Sequence, residues 1–526
     1  MRKRTKIILG VLIGVIVSAA IGIVFSLKHL EPRLRDWVVS TLSESLESEV
    51  QLGEVHLSWV PLKLHGKDLT IRHHGRKDVP PVFVVSSFSV DLRPTDLWSS
   101  VVDRVAVDGL EINIPPKDPE TGKRPIPRPK GGGDSHDSHP LVIRRLTTTN
   151  ARLAIIPRQE GKNPKVWDIF ELEMKNLKGG EAATYTAALL NPIPYGKVEA
   201  KGTFGPWHSD EPGDSPIDGD YSFAADLGTI DGLAGKLDAA GKMGGTLDAI
   251  STQGETKTPD FRLTELDGVS LPLTTSYDAL VDGTNGDVQL KRVDVKLGTS
   301  AFMTKGLVEG TKGIKGKRIV LNVLSKAANL GELLRMASKK GKPAADGLLI
   351  IDAAMDLLQG KAKILDRLDL EGSVRAEKVT FSNDAVQEKI DELSRRGQGR
   401  PGDASIDDVA SRLATKFTLH KGVFTYQGLS FTVQGAAVKL DGTYSMRSKA
   451  VDLNGVVLLD ATMSQTMTGY KSWLLKPFDG LLKKDGAGTR LVISVAGSQD
   501  QPKVALDVGK TLHGKPPSNE SATAKR

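Results

Sequence analysis

Apolar and polar residues alternate with a period of two along most of this 526-residue chain, a pattern that commits it to strands with one apolar face each. Val55, Leu57 and Trp59 stand on one side of their segment, with His56 and Ser58 on the other. The spacing recurs in Leu62/Leu64, Leu69/Ile71, Phe83/Val85, Phe88/Val90/Leu92, Leu110/Ile112/Ile114 and Leu141/Ile143. It returns in Val293/Val295/Leu297, Leu429/Phe431/Val433 and Ala436/Val438/Leu440. Asp282-Gly283, Asn285-Gly286, Glu309-Gly310, Asp441-Gly442 and Asn454-Gly455 read as hairpin turns, which demand the positive φ that such pairs accept. The expectation is a mainly β body of roughly 25 antiparallel strands. Its apolar face cannot stay in water, since burial is worth about 25 cal/mol per Å². A second sheet, the sheet's own curl, a few helices or lipid acyl chains are the covers to weigh.

Composition agrees with strands and tight turns: 54 Gly accompany only 5% aromatics. The net charge of +7 is spread among interleaved acids and bases, so no basic stripe marks a nucleic-acid partner. The lack of cysteine excludes a disulfide scaffold, a thiolate metal site and a cysteine nucleophile.

The N-terminus carries a second signal. Arg2, Lys3, Arg4 and Lys6 precede an uncharged apolar run, 7–27, that includes Ile7, Leu12, Val17, Ile23 and Leu27. As a helix this run spans roughly 30 Å, the thickness of a bilayer core. The basic flank predicts a cytoplasmic segment 1–6, with the chain after residue 28 translocated. Leu34, Val38, Leu42, Leu46 and Val50 then recur every four residues, predicting an amphipathic helix over 32–49 that covers one end of the β body. Further helices are expected over 329–340, 384–396, 406–414 and 464–484. The resulting order is an N-terminal β region to 115, a mobile Pro- and Gly-rich loop over 116–140, a central β region over 141–315, a C-terminal β region over 316–510 and a disordered tail over 511–526.

Motifs for catalysis are missing: there is no G-x-S-x-G, complete phosphate loop or H-E-x-x-H. No enzyme activity, cofactor or native metal is expected. His136 and His139 offer imidazoles, but from a glycine-rich loop without a framework. Asp282 to Asp287 has the oxygen-rich composition of a calcium loop and reads more simply as a hairpin turn.

Two stretches carry a family resemblance. ATYTAALLNPIPYGKVEAKGTFGPWHSDEPGDSPIDGDYSFAADLG, GGTLDAISTQGETKTPDFRL and VDGTNGDVQLKRVDVKLGTSAF, within Ala182 to Phe302, resemble the AsmA-like proteins of bacterial envelopes. LHKGVFTYQGLSFTVQGAAVKLDGTYSMRSKAVDLNGVV and TRLVISVAGSQDQPKVALD resemble that family's C-terminal region, in which a Pro-Lys-Val turn closes the body. The resemblance implies an inner-membrane anchor, a periplasmic location, and an elongated antiparallel sheet curled into a taco-like groove. It also implies transfer of phospholipid along that groove for outer-membrane biogenesis, with an envelope protein as partner. The side chains expected to line the groove are Val293, Val295, Leu297, Leu429, Phe431, Val433, Val438 and Leu440. The same residues read equally well as sheet core, which leaves a non-transporting assembly scaffold as the alternative.

Overall fold

The computed structural model describes residues 35–36, 39–40, 43–44, 48–59, 61–73, 80–91, 93, 101–115, 142–155, 161–178, 180–208, 211–264, 266, 268–337, 343–483, 486–498, 501–507 and 511. The expected membrane span 7–27, the loop 116–140 with His136 and His139, and the tail beyond 511 lie outside them. Among the described residues no helix is long and apolar enough to cross a membrane.

The described strands number 25 (β1–β25) and belong to one large sheet, antiparallel at every defined pairing but one. The exception joins β5 (Val101–Ile114) to β6 (Val142–Ile155) in parallel, with Val105 beside Leu146 and Ile114 beside Ile155. A parallel step needs a connection long enough to return along the strand, and the Pro-rich segment between them supplies that length.

Contacts divide the chain into two compact units. The first comprises 1–261, 272–293 and 306–318; the second comprises 262–271, 294–305 and 319–526. The core of the first unit is built by β3 (Leu62–His73), β4 (Phe83–Asp91), β5 and β6. Leu69, Ile71, Val85, Val90, Val105, Ile114, Ile143 and Leu146 are at most 1% exposed. Since these side chains come from one sheet, the first unit closes its core by bending that sheet on itself.

A left-handed residue reconciles one long strand with a break in the alternation. Leu62/Leu64 and Leu69/Ile71 lie on the single strand β3, whose phase slips at Asp68 (φ 53°). Pairing with β4 keeps its register across this point, so the left-handed residue reverses the alternation without an insertion, and Leu64, Leu69 and Ile71 are all buried. Val39 packs on this core, and Arg35 Nε donates to the Leu52 carbonyl at 2.6 Å, so the described part of the expected amphipathic helix does sit against the β body. Its last two residues do not belong to a helix: Ser48–Gln51 form β1, where Val50 is buried.

The second unit holds α1 (Leu330–Ala337), α2 (Ile364–Arg367) and α3 (Asp384–Gly397). Asn383 caps α3, its Oδ1 accepting from the Ala385 amide at 3.0 Å, while Arg395 and Arg396 occupy the last turn. Two expectations need correction. Residues 406–414 do not form a helix: Ile406, Val409 and Leu413 imitate helical spacing, but Ser411–His420 is a strand in which Leu413, Phe417 and Leu419 pair with both neighbours. Residues 464–484 are helical as expected but in short pieces rather than one helix: Met463–Thr466, Tyr470–Leu475, Lys476–Phe478 and Asp479–Leu482.

Three turn assignments also change. Gly442 and Gly455 lie inside β22 (Ala436–Ser445) and β23 (Ala450–Leu459), not in hairpins. A Cβ on Gly455 would run into the Lys439 carbonyl oxygen, so these glycines serve close strand approach. Pro502-Lys503-Val504 belongs to the last strand, β25 (Gln501–Leu506), rather than to a turn. Asp507 donates its amide to Val492, which sets the amides of Gln501, Lys503 and Ala505 towards β24 (Thr489–Ser498) and leaves position 502 facing away from β24. Proline is tolerated there because no ladder bond is lost.

Candidate functional site

The register of the second unit traces one apolar face across successive strands. A first row runs Ala328, Leu349, Ala376, Leu413, Phe431, Val438, Val457, Leu491. A second runs Val323, Ala353, Gly372, Phe417, Tyr426, Gly442, Leu453, Val495. A third runs Leu321, Met355, Leu370, Leu419, Phe424, Tyr444, Val451. Asp352, Glu371, Ser373 and Arg375 point to the opposite face and are exposed, so these strands are one-sided as their alternation requires.

Among the described residues, α1 and α3 cover one margin of this face. Leu330, Leu333 and Leu334 of α1 pack on Ala328, Ala345, Leu349, Ala376 and Val379. Ile390 and Leu393 of α3 pack with Val433, Ala436 and Leu459. Each helix is fastened by a buried carboxylate. Glu332 accepts from the Thr299 and Ser300 amides and from Ser300 Oγ at 2.7 Å. Burial would raise its carboxyl, but these hydrogen bonds outweigh it and hold it below the ordinary value. Asp391 Oδ1 accepts from Gln387 and from the Val409 amide, each at 2.9 Å. Asp391 also forms an acidic trio with Glu388 and Asp407; these bonds account for it as a structural anchor.

Away from the helices the face is only half-covered. Met355, Leu370, Phe424, Leu429, Val438, Leu440, Tyr444, Leu453 and Val495 are all partly exposed. Aromatic rings gather there: Phe417 meets Phe424 edge-on at 5.9 Å, and Phe424 stacks on Tyr426 at 5.8 Å. Burial, followed by the neighbouring Tyr444, pushes the Tyr426 phenol upwards.

Five of the eight expected lining residues meet on two neighbouring strands, β21 (Val423–Val433) and β22. Leu429 opposes Leu440, and Phe431 opposes Val438. Val433 opposes Ala436 and is buried under α3, so it belongs to a sealed part of the face. Val293, Val295 and Leu297 share one face of β15 (Val288–Leu297); Val293 and Leu297 are buried, Val295 partly so, and Val293 belongs to the first unit. The alternation did not single out Phe417, Phe424, Tyr426 and Tyr444. Their signal is the odd step from Tyr426 to Leu429, which marks the bulge at Gly428 (φ 62°).

The loop Asp282–Asp287 lies in the first unit, and its oxygens are already engaged. Asp282 accepts from Thr284 and Asn285. Asp287 holds Lys162 at 2.7 Å and Lys317 at 2.8 Å. Cations stand where a calcium ion would need ligands, and the segment is a turn pinned by ion pairs.

Comparison of the chain with protein-family models, with curated proteins and with solved structures gives no match.

Proposed function

We propose that the chain is an AsmA-like envelope protein that binds phospholipid on the half-covered apolar face and passes it towards the outer membrane. The observation that carries this reading is the set of partly exposed apolar and aromatic side chains, Met355, Leu370, Phe424, Leu440, Leu453 and Val495, on one face of successive strands. A face of that extent left half-covered calls for an apolar occupant. Acyl chains would lie along it with headgroups in water, and no catalytic group is required. The basic residues before 7–27 favour an inner-membrane anchor with the body in the periplasm. Movement of lipid would need an energy source or an envelope partner outside this chain.

A second reading, a non-transporting scaffold for outer-membrane assembly, draws on the margin sealed by α1 and α3. The two separate in one experiment on the full chain in its membrane. A photoreactive amino acid at Leu440 should capture phospholipid, whereas the same group at Lys439, on the opposite face, should not. Protein adducts without lipid from Leu440 would overturn the transfer reading and leave the scaffold.

A further inference from the structure

The sheet of the first unit meets itself where its hydrogen-bond ladder would hold the strands far apart. β7 (Val166–Lys178), β8 (Ala183–Pro192), β9 (Tyr195–Phe204), β10 (Pro216–Asp226) and β12 (Lys236–Thr246) are successive neighbours. One row across them runs Asp168, Leu190, Lys197, Ala224, Asp238, and Leu247 follows at the far end of β12. In a flat sheet, ladder steps of about 4.8 Å and roughly 30 Å along the strand would hold Trp167 and Leu247 about 35 Å apart. One residue joins them instead: Gly283 accepts from Trp167 Nε1 at 2.8 Å and donates its amide to the Leu247 carbonyl at 2.7 Å. A Cβ on Gly283 would lie 2.5 Å from that carbonyl oxygen, so the joint has no room for a side chain. The strands between are therefore rolled around the face that carries Ala187, Ala200 and Tyr221. Tyr221 and Tyr277 on β14 (Leu271–Val281) agree: β12 and β13 (Ala249–Leu263) lie between them, yet their hydroxyls hydrogen-bond above Gly241 and Gly254.

Polar contacts fasten residues 161–167 to the turns that face them, all within the first unit. Lys165 donates its amide to the Thr284 carbonyl, and Lys312 donates its amide to the Gly161 carbonyl, each at 2.6 Å. Lys162 Nζ lies 2.7 Å from an Asp287 oxygen and 3.5 Å from a Glu309 oxygen. Lys165 donates to the neutral Asn191 Oδ1 at 3.1 Å. Burial first, and then the Lys317 cation beside it, hold its amine below the ordinary lysine value, so like charges press on the joint. Neither Val166 nor Trp167 belongs to the apolar core of the unit, so the joint can part without breaking that core.

We infer that residues 161–167 form a releasable clasp that closes the first unit's apolar face to sideways entry, so that a lipid acyl chain enters from the side only when the clasp parts. The inference rests on the lipid-binding reading above, extended to this face, and adds a control over entry. Lys162 carries both ion pairs that fasten the clasp, and release turns on it.

The chain has no cysteine of its own, so one introduced thiol reports access. Ala200 is 7% exposed on the enclosed face. In the full chain held in amphipol, Ala200→Cys should react with a water-soluble maleimide about tenfold faster once Lys162→Glu sets a carboxylate against Asp287 and Glu309. Lys162→Arg should leave the rate unchanged. Val90→Cys, in the core of β4, should stay unreactive throughout, which separates parting of the clasp from unfolding. A second arm follows lipid. A photoreactive amino acid at Val198, partly exposed on the same face, meets phosphatidylglycerol vesicles in chains carrying Lys162→Cys and Glu309→Cys, either joined by a short bismaleimide or left unjoined. Joining should cut lipid capture several-fold. A thiol rate unmoved by Lys162→Glu, or capture unmoved by the bridge, would overturn the clasp. Should Lys162→Glu expose Val90→Cys as well, the bridge decides alone. A thiol that responds, with no capture in either bridged or unbridged chain, would overturn lipid as the occupant of this face and leave the clasp standing.

Discussion

Leu429 and Leu440 oppose each other across the ladder between β21 and β22, both partly exposed, whereas Val433 and Ala436 on the same two strands are buried beneath α3. One apolar ladder thus passes from sealed core to open face within a few residues. Leu440→Asp should cost about 1 kcal/mol of stability or less, because its carboxylate can reach water. Val433→Asp should cost about 3 kcal/mol or more, because its carboxylate cannot. Thermal melts together with lipid counts check this: Leu440→Asp should lose bound lipid while staying folded.

Gly455 supports the same face differently. The strands approach so closely there that a side chain has no room, and Gly455→Val should lower the melting temperature of the second unit. The expected cost is about 2 kcal/mol, combining overpacking with a displaced ladder. Asn454→Ala, beside it but on the exposed side, should change little; a loss equal to that of Gly455→Val would argue against close approach as the cause.

The Asp287 turn should respond to acid. Burial would raise its carboxyl, but hydrogen bonds from Lys162, Lys317 and Gly310 outweigh that effect and hold it below the ordinary aspartate value. A depressed carboxyl stabilises the fold above its unfolded value of about 3.9, and the benefit disappears as pH falls through the folded value. At neutral pH, Asp287→Asn should speed exchange of the Gly310 amide, which donates to Asp287 at 2.8 Å, by roughly five- to a hundredfold. The two proteins should converge as pH drops below the range in which an aspartate ionises. Added calcium should leave the exchange rate unchanged.

The last strand predicts solution behaviour. All six residues of β25 are exposed, Val504 at 68%, and among the described residues the one register defined for it is with β24. Pro502 removes one donor from its other edge, a common guard against strand addition. Pro502→Val should promote self-association in sedimentation, and Val504→Lys should suppress it.

Much of this was legible in the chain because strand faces are local. The pairs Leu429/Phe431 and Val438/Leu440 announced one shared surface; the slip from Leu64 to Leu69 marked a left-handed residue, Asp68, and that from Tyr426 to Leu429 a bulge. Partners distant in sequence were not legible. Nothing near Val105 reveals that Leu146 lies parallel to it, and nothing near Val433 reveals that Ile390 covers it. Local signals also misled where tertiary pairing prevailed, as with Gly442, Gly455 and residues 411–414. The meeting of Tyr221 with Tyr277 left one trace, the glycines 241 and 254 inside their strands.

The parallel step between β5 and β6 makes residues 101–141 a removable cassette. Antiparallel strands alternate in direction, and one parallel neighbour adds a strand without advancing that alternation. Val90 opposes Val105, which stands beside Leu146, and Val101 begins level with Val142. A chain spliced from residue 100 to 142 would enter β6 at the rim where it now enters β5, with β6 still antiparallel to β4 and Val90 facing Leu146. Every later strand would keep its polarity, so the sheet's length at this point can be edited by a single strand, where a purely antiparallel meander would require two.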